Sequence, residues 1–213
     1  MVRVEDRMQV ELHTPITDEE ILALHAGDTV LLSGVVVTGR DAAHEWLYQN
    51  FSSPAGNPSA ADCAIYAELK SYLDRGVIYH CGPVVSGLET RQYRFLSAGP
   101  TTSIRQESYQ ADVMRLFNLK GVIGKGGMGQ NTLSYCSQSP AVYFHATGGA
   151  AVLIAKTVKE VLGVYKLEWG VPEAMWVIRV EHLPLIVTMD AHGVSLHERV
   201  REISWKELDR LIG

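Results

Sequence analysis

The sequence predicts an α/β fold, because short apolar segments typical of strands alternate with segments of helical spacing along the chain. Three glycine-bearing junctions, at residues 99–105, 124–129 and 145–151, each follow a predicted strand. The sequence contains no internal repeat and no low-complexity tract. We therefore expect one domain over residues 1–213, built on a largely parallel or mixed sheet.

In the first half of the chain, the sequence predicts two strands, three helices and a loop. A Thr17–Glu20 capping box starts a helix that ends near residue 27. The alternating segment 8–13 predicts an edge strand, and the Val- and Leu-rich segment 29–37 a strand buried on both faces. Helical spacing covers 40–48 and 60–73, with Gly76 as a stop, and the Pro-, Gly- and Ser-rich segment 51–59 is a loop.

The second half continues the alternation. Segments 77–81, 93–97, 121–123 and 141–144 predict strands, and segment 108–118 predicts a helix. The apolar spacing of 150–162 predicts another helix. Two last strands are expected at 174–182 and 185–190, separated by Pro184, and a Ser204–Glu207 capping box predicts the start of a terminal helix.

Composition excludes several classes of protein. A formal net charge of −5 argues against a general nucleic-acid binder. The N-terminus lacks an apolar signal core, and the longest apolar stretch, 140–155, is too short and too interrupted to span a membrane. The cysteines Cys63, Cys81 and Cys136 form no CxxC pair, so we expect neither a zinc site nor an iron–sulfur cluster held by this chain alone. Scattered thiols indicate a cytoplasmic protein.

Cationic side chains accompany the predicted strand ends. Arg40 follows the buried strand, Arg105 lies in the first glycine junction, and Lys125 lies in the second. Unpaired N–H groups at a helix start attract anions, and glycine lets the backbone approach a ligand closely. Ligands of such sheets bind beyond the carboxyl ends of the strands. The pattern predicts a pocket for a small molecule with several negative charges.

Each of these features also has a purely structural interpretation. Arg40 fits a solvated residue in the first turn of a helix, and Lys125 an exposed side chain on a flexible turn. One hydroxyl of the Thr-Thr-Ser segment 101–103 is enough to cap a helix, so the excess favours ligand contact. Lys125 precedes most of its glycines, which is the wrong order for a phosphate-binding loop. His145 fits either the wall of a pocket or a hydrogen-bonded core residue.

Six segments together resemble the β subunit of the class I hydro-lyases, the iron–sulfur fumarate hydratases and L-tartrate dehydratases. In order, they are VTGRDAAH at 37–44, IYHCGP at 78–83, GPTTS at 99–103, GVIGKGGMG at 121–129, GGAA at 148–151, and the closing stretch 173–193, which runs from EAMW to DAHG. The likeness covers nearly the whole chain. It implies a single swivelling β/β/α domain like the C-terminal domain of class I fumarases.

The resemblance also implies a partner and roles for four residues. An α subunit would hold a [4Fe–4S] cluster through three cysteines, with one open iron as a Lewis acid. Arg40, Arg105 and Lys125 would clamp the carboxylates of a small dicarboxylate substrate, and Thr101 would transfer a proton at the reacting carbon. The sequence departs from the family in Gln106, where methionine is common, and in segment 49–73.

The expected function is reversible hydration of fumarate to malate by a heterodimer, or dimer of heterodimers, that is active only with the α subunit. The closest alternative is the β subunit of an L-tartrate dehydratase, which forms oxaloacetate. A non-catalytic interaction or lid subunit and a stand-alone phosphate or nucleotide binder are further alternatives.

Overall fold

The computed structural model describes residues 9–212, which form a mixed α/β structure, as predicted. The nine strands of this range are β1 (Gln9–His13), β2 (Thr29–Thr38), β3 (Val77–Tyr79), β4 (Val84–Ser86), β5 (Arg94–Ser97), β6 (Gly121–Gly124), β7 (Val142–His145), β8 (Val158–Tyr165) and β9 (Met175–Met189). Its seven α-helices are α1 (Asp18–Leu22), α2 (Asp41–Leu47), α3 (Ala60–Leu73), α4 (Glu107–Phe117), α5 (Gln130–Gln138), α6 (Ala151–Ala155) and α7 (Leu196–Ile212).

Seven strands form the main sheet in the order β1-β2-β3-β6-β7-β9-β8, and β4 and β5 form a separate hairpin. Strands β2, β3, β6 and β7 run parallel to one another, so their carboxyl ends lie at one edge. Strand β9 is antiparallel to β7, to β8 and also to β2. The pairing of β9 with β2 closes β2, β3, β6, β7 and β9 into a ring.

The core consists of two hydrophobic clusters, one on each side of the central strands. Neighbouring residues of one strand enter different clusters: Val36 belongs to the first, and Val37 to the second. Trp176, which is fully buried, lies in the first cluster, whereas the second also receives the apolar faces of α2, α3 and α4. This two-sided burial explains why β2 is an almost continuous apolar run.

Local signals placed the first helices correctly. The Thr17–Glu20 capping box is present at α1, and α3 covers the predicted range 60–73. Ser59 and Asp62 form a second capping box at the start of α3. The predicted first strand begins at residue 8, which lies outside the described residues; its remaining part is β1.

The prediction of one helix over 150–162 was wrong. Helix α6 ends at Ala155, and β8 begins at Val158 and pairs with β9 along the sheet edge. The prediction of two strands around Pro184 was also wrong, because β9 continues through Pro184 as one strand. Pro184 faces Leu31 of β2 beside a register irregularity between Leu32 and Gly34, where the ladder tolerates a residue that lacks an N–H.

The terminal helix begins at Leu196, not at the predicted capping box of Ser204 and Glu207. Ser195 Oγ accepts a hydrogen bond from Glu198 N at 3.3 Å, so the helix is capped nine residues earlier. Strand β4 and helix α5 were not predicted. Within residues 9–212 no helix is both long enough and apolar enough to cross a membrane.

Candidate active site

The strand-end junctions meet at one edge of the sheet. Beyond the ends of the parallel strands the backbone pairing continues: Gly39 N donates to Tyr79 O at 2.9 Å, and His80 N donates to Ile123 O at 2.8 Å. Ala146 N donates to Gly124 O at 2.9 Å. The segments after β2, β3, β6 and β7 therefore lie side by side.

The segment 101–103 is bound between two of these junctions. Thr101 N donates to His80 O at 2.7 Å, and Lys125 N donates to Thr101 O at 3.3 Å. Ser103 N then donates to Lys125 O at 3.1 Å, which makes a short parallel bridge between Thr102 and Lys125. Two of the predicted site residues, Thr101 and Lys125, are thus joined through the backbone.

Arg105 extends from the short 3₁₀ turn Ser103–Gln106 back toward Thr101. Its Nη2 donates to Thr101 Oγ1 at 3.0 Å and lies 3.1 Å from Asp41 Oδ2. Gln106 Nε2 donates to the other oxygen of Asp41. Asp41 therefore orients Arg105, although the sequence analysis gave it no site role. About half of the Arg105 side chain (47%) is exposed, so this part of the site is open.

Arg40 occupies the N-cap position of α2, and its side chain is only about one-fifth exposed (22%). Its Nη2 lies 3.3 Å from Glu173 Oε1, and Glu173 Oε2 accepts a hydrogen bond from Ala42 N at 3.3 Å. Gly82 lies against the guanidinium, where a Cβ would come within 2.9 Å of Arg40 Cδ. Glu173 was also missed as a site residue, because it is 133 positions away in sequence.

Lys125 differs from the two arginines. Its ammonium forms no ion pair or hydrogen bond with another residue of the range 9–212. The nearest glycine of the third junction is Gly148, where a Cβ would lie 3.9 Å from Lys125 Cδ. Lys125 is partly exposed, so its charge is available to a ligand.

The charges at this edge favour an anion. Arg40 pairs with Glu173 and Arg105 pairs with Asp41, whereas the Lys125 ammonium has no ionic partner among residues 9–212. The Thr101 hydroxyl oxygen accepts a hydrogen bond from Arg105. No carboxylate or imidazole of the described range lies within hydrogen-bond distance of this hydroxyl. A guanidinium beside a hydroxyl stabilises negative charge on its oxygen.

His145, at the end of β7, is half-buried, and burial lowers its pKa. Its Nδ1 is buried and has no partner in the described range, and its ring centroid lies 6.1 Å from that of His197 in α7. The third glycine junction is exposed at residues 147–149 and leads into the five-residue helix α6. His145 forms no hydrogen bond with Thr101 or Arg105.

The described residues do not fit a metal cofactor of their own. Within residues 9–212 no group of three or more His, Cys, Asp or Glu side chains could hold a metal ion. Cys63 is exposed, whereas Cys81 and Cys136 are buried. Burial raises the pKa of Cys136 to about 12 and raises that of Cys81 as well, which opposes the thiolate form that metals bind.

The family model for the fumarase C-terminus matches residues 2–200. A Geobacillus stearothermophilus protein named putative fumarate hydratase class I is 42% identical over 205 residues, which cover 96% of this chain. The match covers 37% of that relative, so the chain spans little more than a third of its length.

Two further relatives have nearly the length of this chain. The putative L(+)-tartrate dehydratase subunit beta of Methanocaldococcus jannaschii is 36% identical over 200 residues, which cover 93% of this chain and 96% of the relative. The L(+)-tartrate dehydratase subunit beta of Escherichia coli is 34% identical over 206 residues, which cover 96% and 94%. The resemblance stated from the six sequence segments is confirmed: the chain belongs to the fumarase C-terminus family.

Proposed function

We propose that the chain is the β subunit of an iron–sulfur hydro-lyase that interconverts fumarate and malate and is active only with an α subunit. The observation that carries the proposal is the position of Thr101, between the Arg105 guanidinium and the Lys125 backbone at the carboxyl edge of the sheet. A relative named fumarate hydratase supports the choice of substrate.

The cations suit a dicarboxylate. A guanidinium offers two parallel donors to a carboxylate, and a lysine ammonium acts as a compact charge. Arg40 and Arg105 are each held by one carboxylate of this chain, which fixes their direction. We assign the substrate carboxylates to Arg40, Arg105 and Lys125.

Thr101 is proposed to carry the proton. Formation of fumarate from malate removes a proton from the carbon beside a carboxylate, together with a hydroxyl group from the adjacent carbon. The electron pair of the broken C–H bond delocalises into that carboxylate, and neighbouring cations stabilise the charge as it develops. A threonine hydroxyl is a weak base, so a neighbouring residue or a residue of the α subunit has to activate it.

We further propose that the α subunit holds the [4Fe–4S] cluster through three cysteines, since the described part of this chain has no ligand set for it. The half-exposed Arg105 supports a site that a second polypeptide completes. The proposed assembly is a cytoplasmic heterodimer or dimer of heterodimers. One swivelling domain over residues 1–213 also stays a prediction.

The second candidate is an L-tartrate dehydratase β subunit, because two relatives of nearly equal length carry that name. Both reactions remove water from a 2-hydroxy dicarboxylate, so the same cations suit either substrate. The discriminating experiment is coexpression with the α subunit, anaerobic purification of the complex, and measurement of kcat/KM for L-malate and L-tartrate.

A higher kcat/KM for L-malate supports the fumarate hydratase, and a higher value for L-tartrate overturns that choice. An assembled, cluster-loaded complex whose turnover is insensitive to loss of Lys125 and Arg105 would indicate the non-catalytic lid. A thermal-shift screen of the full chain with nucleotides tests the remaining alternative, and no shift is expected.

A further inference from the structure

A buried network of four hydrogen-bonded side chains contacts the segment that carries Thr101. His80, at the end of β3, is fully buried, with its Nδ1 2.8 Å from Ser103 Oγ and its Nε2 2.7 Å from Gln110 Oε1 in α4. The Tyr143 hydroxyl, from β7, donates to Ser103 Oγ at 2.8 Å. All four side chains are buried, so water does not replace these partners.

The hydrogen bonds of this buried network run in one consistent direction. The amide oxygen of Gln110 only accepts, so His80 Nε2 carries the hydrogen. Nδ1 of a neutral imidazole is then an acceptor, and it takes the hydroxyl hydrogen of Ser103. The Ser103 oxygen accepts in turn from Tyr143. Each of these three contacts joins a donor to an acceptor, whereas Gln110 Nε2 is buried without a partner among residues 9–212. His80 is the link between α4 and the Thr101 segment.

His80 contacts this segment at two points, on either side of Thr102. Its carbonyl accepts from Thr101 N at 2.7 Å, and its ring accepts from the Ser103 side chain. The packing allows little movement: a Cβ at Gly124 would lie 2.9 Å from Tyr143 Oη and 3.1 Å from His80 Nδ1. The His80 ring is therefore a side-chain anchor for this segment, added to the main-chain bonds that His80 and Lys125 make with it.

We propose that His80 is a positioning residue for the hydro-lyase reaction: through Ser103 it fixes Thr101 and Arg105 relative to Lys125. This inference rests on the proposed function, because the positions of Thr101 and Arg105 affect catalysis only if these residues act on the substrate. His80 forms no hydrogen bond with Thr101 Oγ1, so it acts only through the segment that it anchors.

The test compares His80→Leu with His80→Asn in the α–β complex. Leucine offers no acceptor to Ser103, whereas the asparagine Oδ1 can occupy the place of Nδ1. We expect His80→Leu to lower kcat by about 10²-fold, the effect of a misplacement of about 1 Å, with a much smaller change in KM. His80→Asn should restore most of kcat. The control is Leu73→Ala, which changes a buried residue of α3 and should lower Tm but leave kcat unchanged.

A wild-type kcat in His80→Leu would overturn the proposal. Equal losses of kcat in His80→Leu and His80→Asn, in proportion to the decrease of their Tm values, would overturn it as well. A second measurement does not need turnover. In the full chain, ¹⁵N chemical shifts should show His80 as the Nε2–H tautomer, and Ser103→Ala should move its Nδ1 signal and the Thr101 amide. If the wild-type complex turns over neither diacid, the proposed function fails, and unchanged NMR signals in Ser103→Ala would separately refute the anchoring by His80.

Discussion

Arg105 and Lys125 use their charges differently. The Arg105 guanidinium is shared between Asp41 and Thr101, whereas the Lys125 ammonium has no ionic partner among residues 9–212. A ligand carboxylate therefore has to compete for Arg105 but not for Lys125. The backbone of Lys125 also binds Thr101 and Ser103, so a substitution of its side chain leaves these main-chain bonds in place.

We expect Lys125→Ala to lower kcat/KM of the complex by about 10²- to 10³-fold, the usual loss when one preorganised charge partner of a reacting group is removed. Steady-state kinetics with L-malate or fumarate measure the loss. Lys70→Ala, an exposed lysine of α3, is the matched control and should retain wild-type kinetics. Equal kinetics of the two variants would contradict the role of Lys125.

Thr101→Val removes the hydroxyl and keeps the branched shape, so it tests the proton transfer directly. We expect kcat to fall by about 10²- to 10⁴-fold, the range for loss of a general acid–base group. Thr101→Ser retains the hydroxyl and should recover much of the rate. Thr90→Val, in the exposed turn of the β4–β5 hairpin, controls for the substitution itself. Wild-type kcat in Thr101→Val would exclude Thr101 as the proton-transfer group.

The sequence predicted four site residues but not the partners of their side chains. Arg105 and Lys125 stood out because they lie in glycine junctions, Arg40 because it follows the buried strand, and Thr101 through the family resemblance. The structure places all four at one edge, and their roles stay predictions. Asp41 pairs with Arg105, 64 positions away, although it is adjacent to Arg40. Such pairs depend on which strands become neighbours, and no local pattern encodes that.

At the scale of elements, local signals succeeded where capping and periodicity decide the structure. The Thr17 capping box and the range of α3 follow from such signals. Strand β8 was missed because its apolar residues also fit helical spacing, and its pairing with β9 is a non-local interaction. Helix α5 has no capping side chain of its own at Gly129, so its start carried little local signal.

Glu107, at the start of α4, supplies the missing cap of α5. Its carboxylate accepts from the backbone N–H groups of Gly129, Asn131 and Thr132 at 2.8, 2.9 and 3.2 Å. The Thr132 hydroxyl donates to it at 2.7 Å. The carboxylate therefore fixes the end of the 124–129 junction that carries Lys125.

We expect Glu107→Gln to lower the free energy of unfolding by about 1.5–3 kcal/mol, because hydrogen bonds to a charged acceptor become neutral ones and one amide position cannot accept. Urea denaturation of the full chain measures this. Glu202→Gln, on the exposed face of α7, should change it by less than about 0.5 kcal/mol. A Glu107→Gln variant as stable as the wild type would show that α5 needs no such cap.

At the scale of the whole molecule, two buried imidazoles make stability depend on pH. Burial lowers the pKa of His44, and it lowers the pKa of His80 well below the usual value. The unfolded chain binds these protons first as the pH falls, so stability is fully present above the ordinary histidine pKa and is lost below it. The pKa values of the Asp18 and Asp62 carboxyl groups are lowered, so the stability that these two groups contribute is lost only at lower pH.

The free energy of unfolding should therefore be nearly constant above about pH 7 and should fall from about pH 6.5 downward, by up to about 1.4 kcal/mol per pH unit for each buried histidine. Urea denaturation at several pH values measures the slope. His80→Asn should reduce it, whereas His13→Gln, an exposed residue of β1, should leave it unchanged. A stability that stays constant down to about pH 5 would contradict this assignment.

Strand β9 closes the ring by pairing with β2, with Thr29 opposite Ile186. The two strands are separated by most of the chain, so synthesis on a ribosome leaves one edge of β2 without its neighbour until β9 has emerged. Pairings between such distant segments form late and slowly, and an unpaired strand edge promotes association with other chains. Nascent chains that stall before β9 should therefore be strong clients for chaperones.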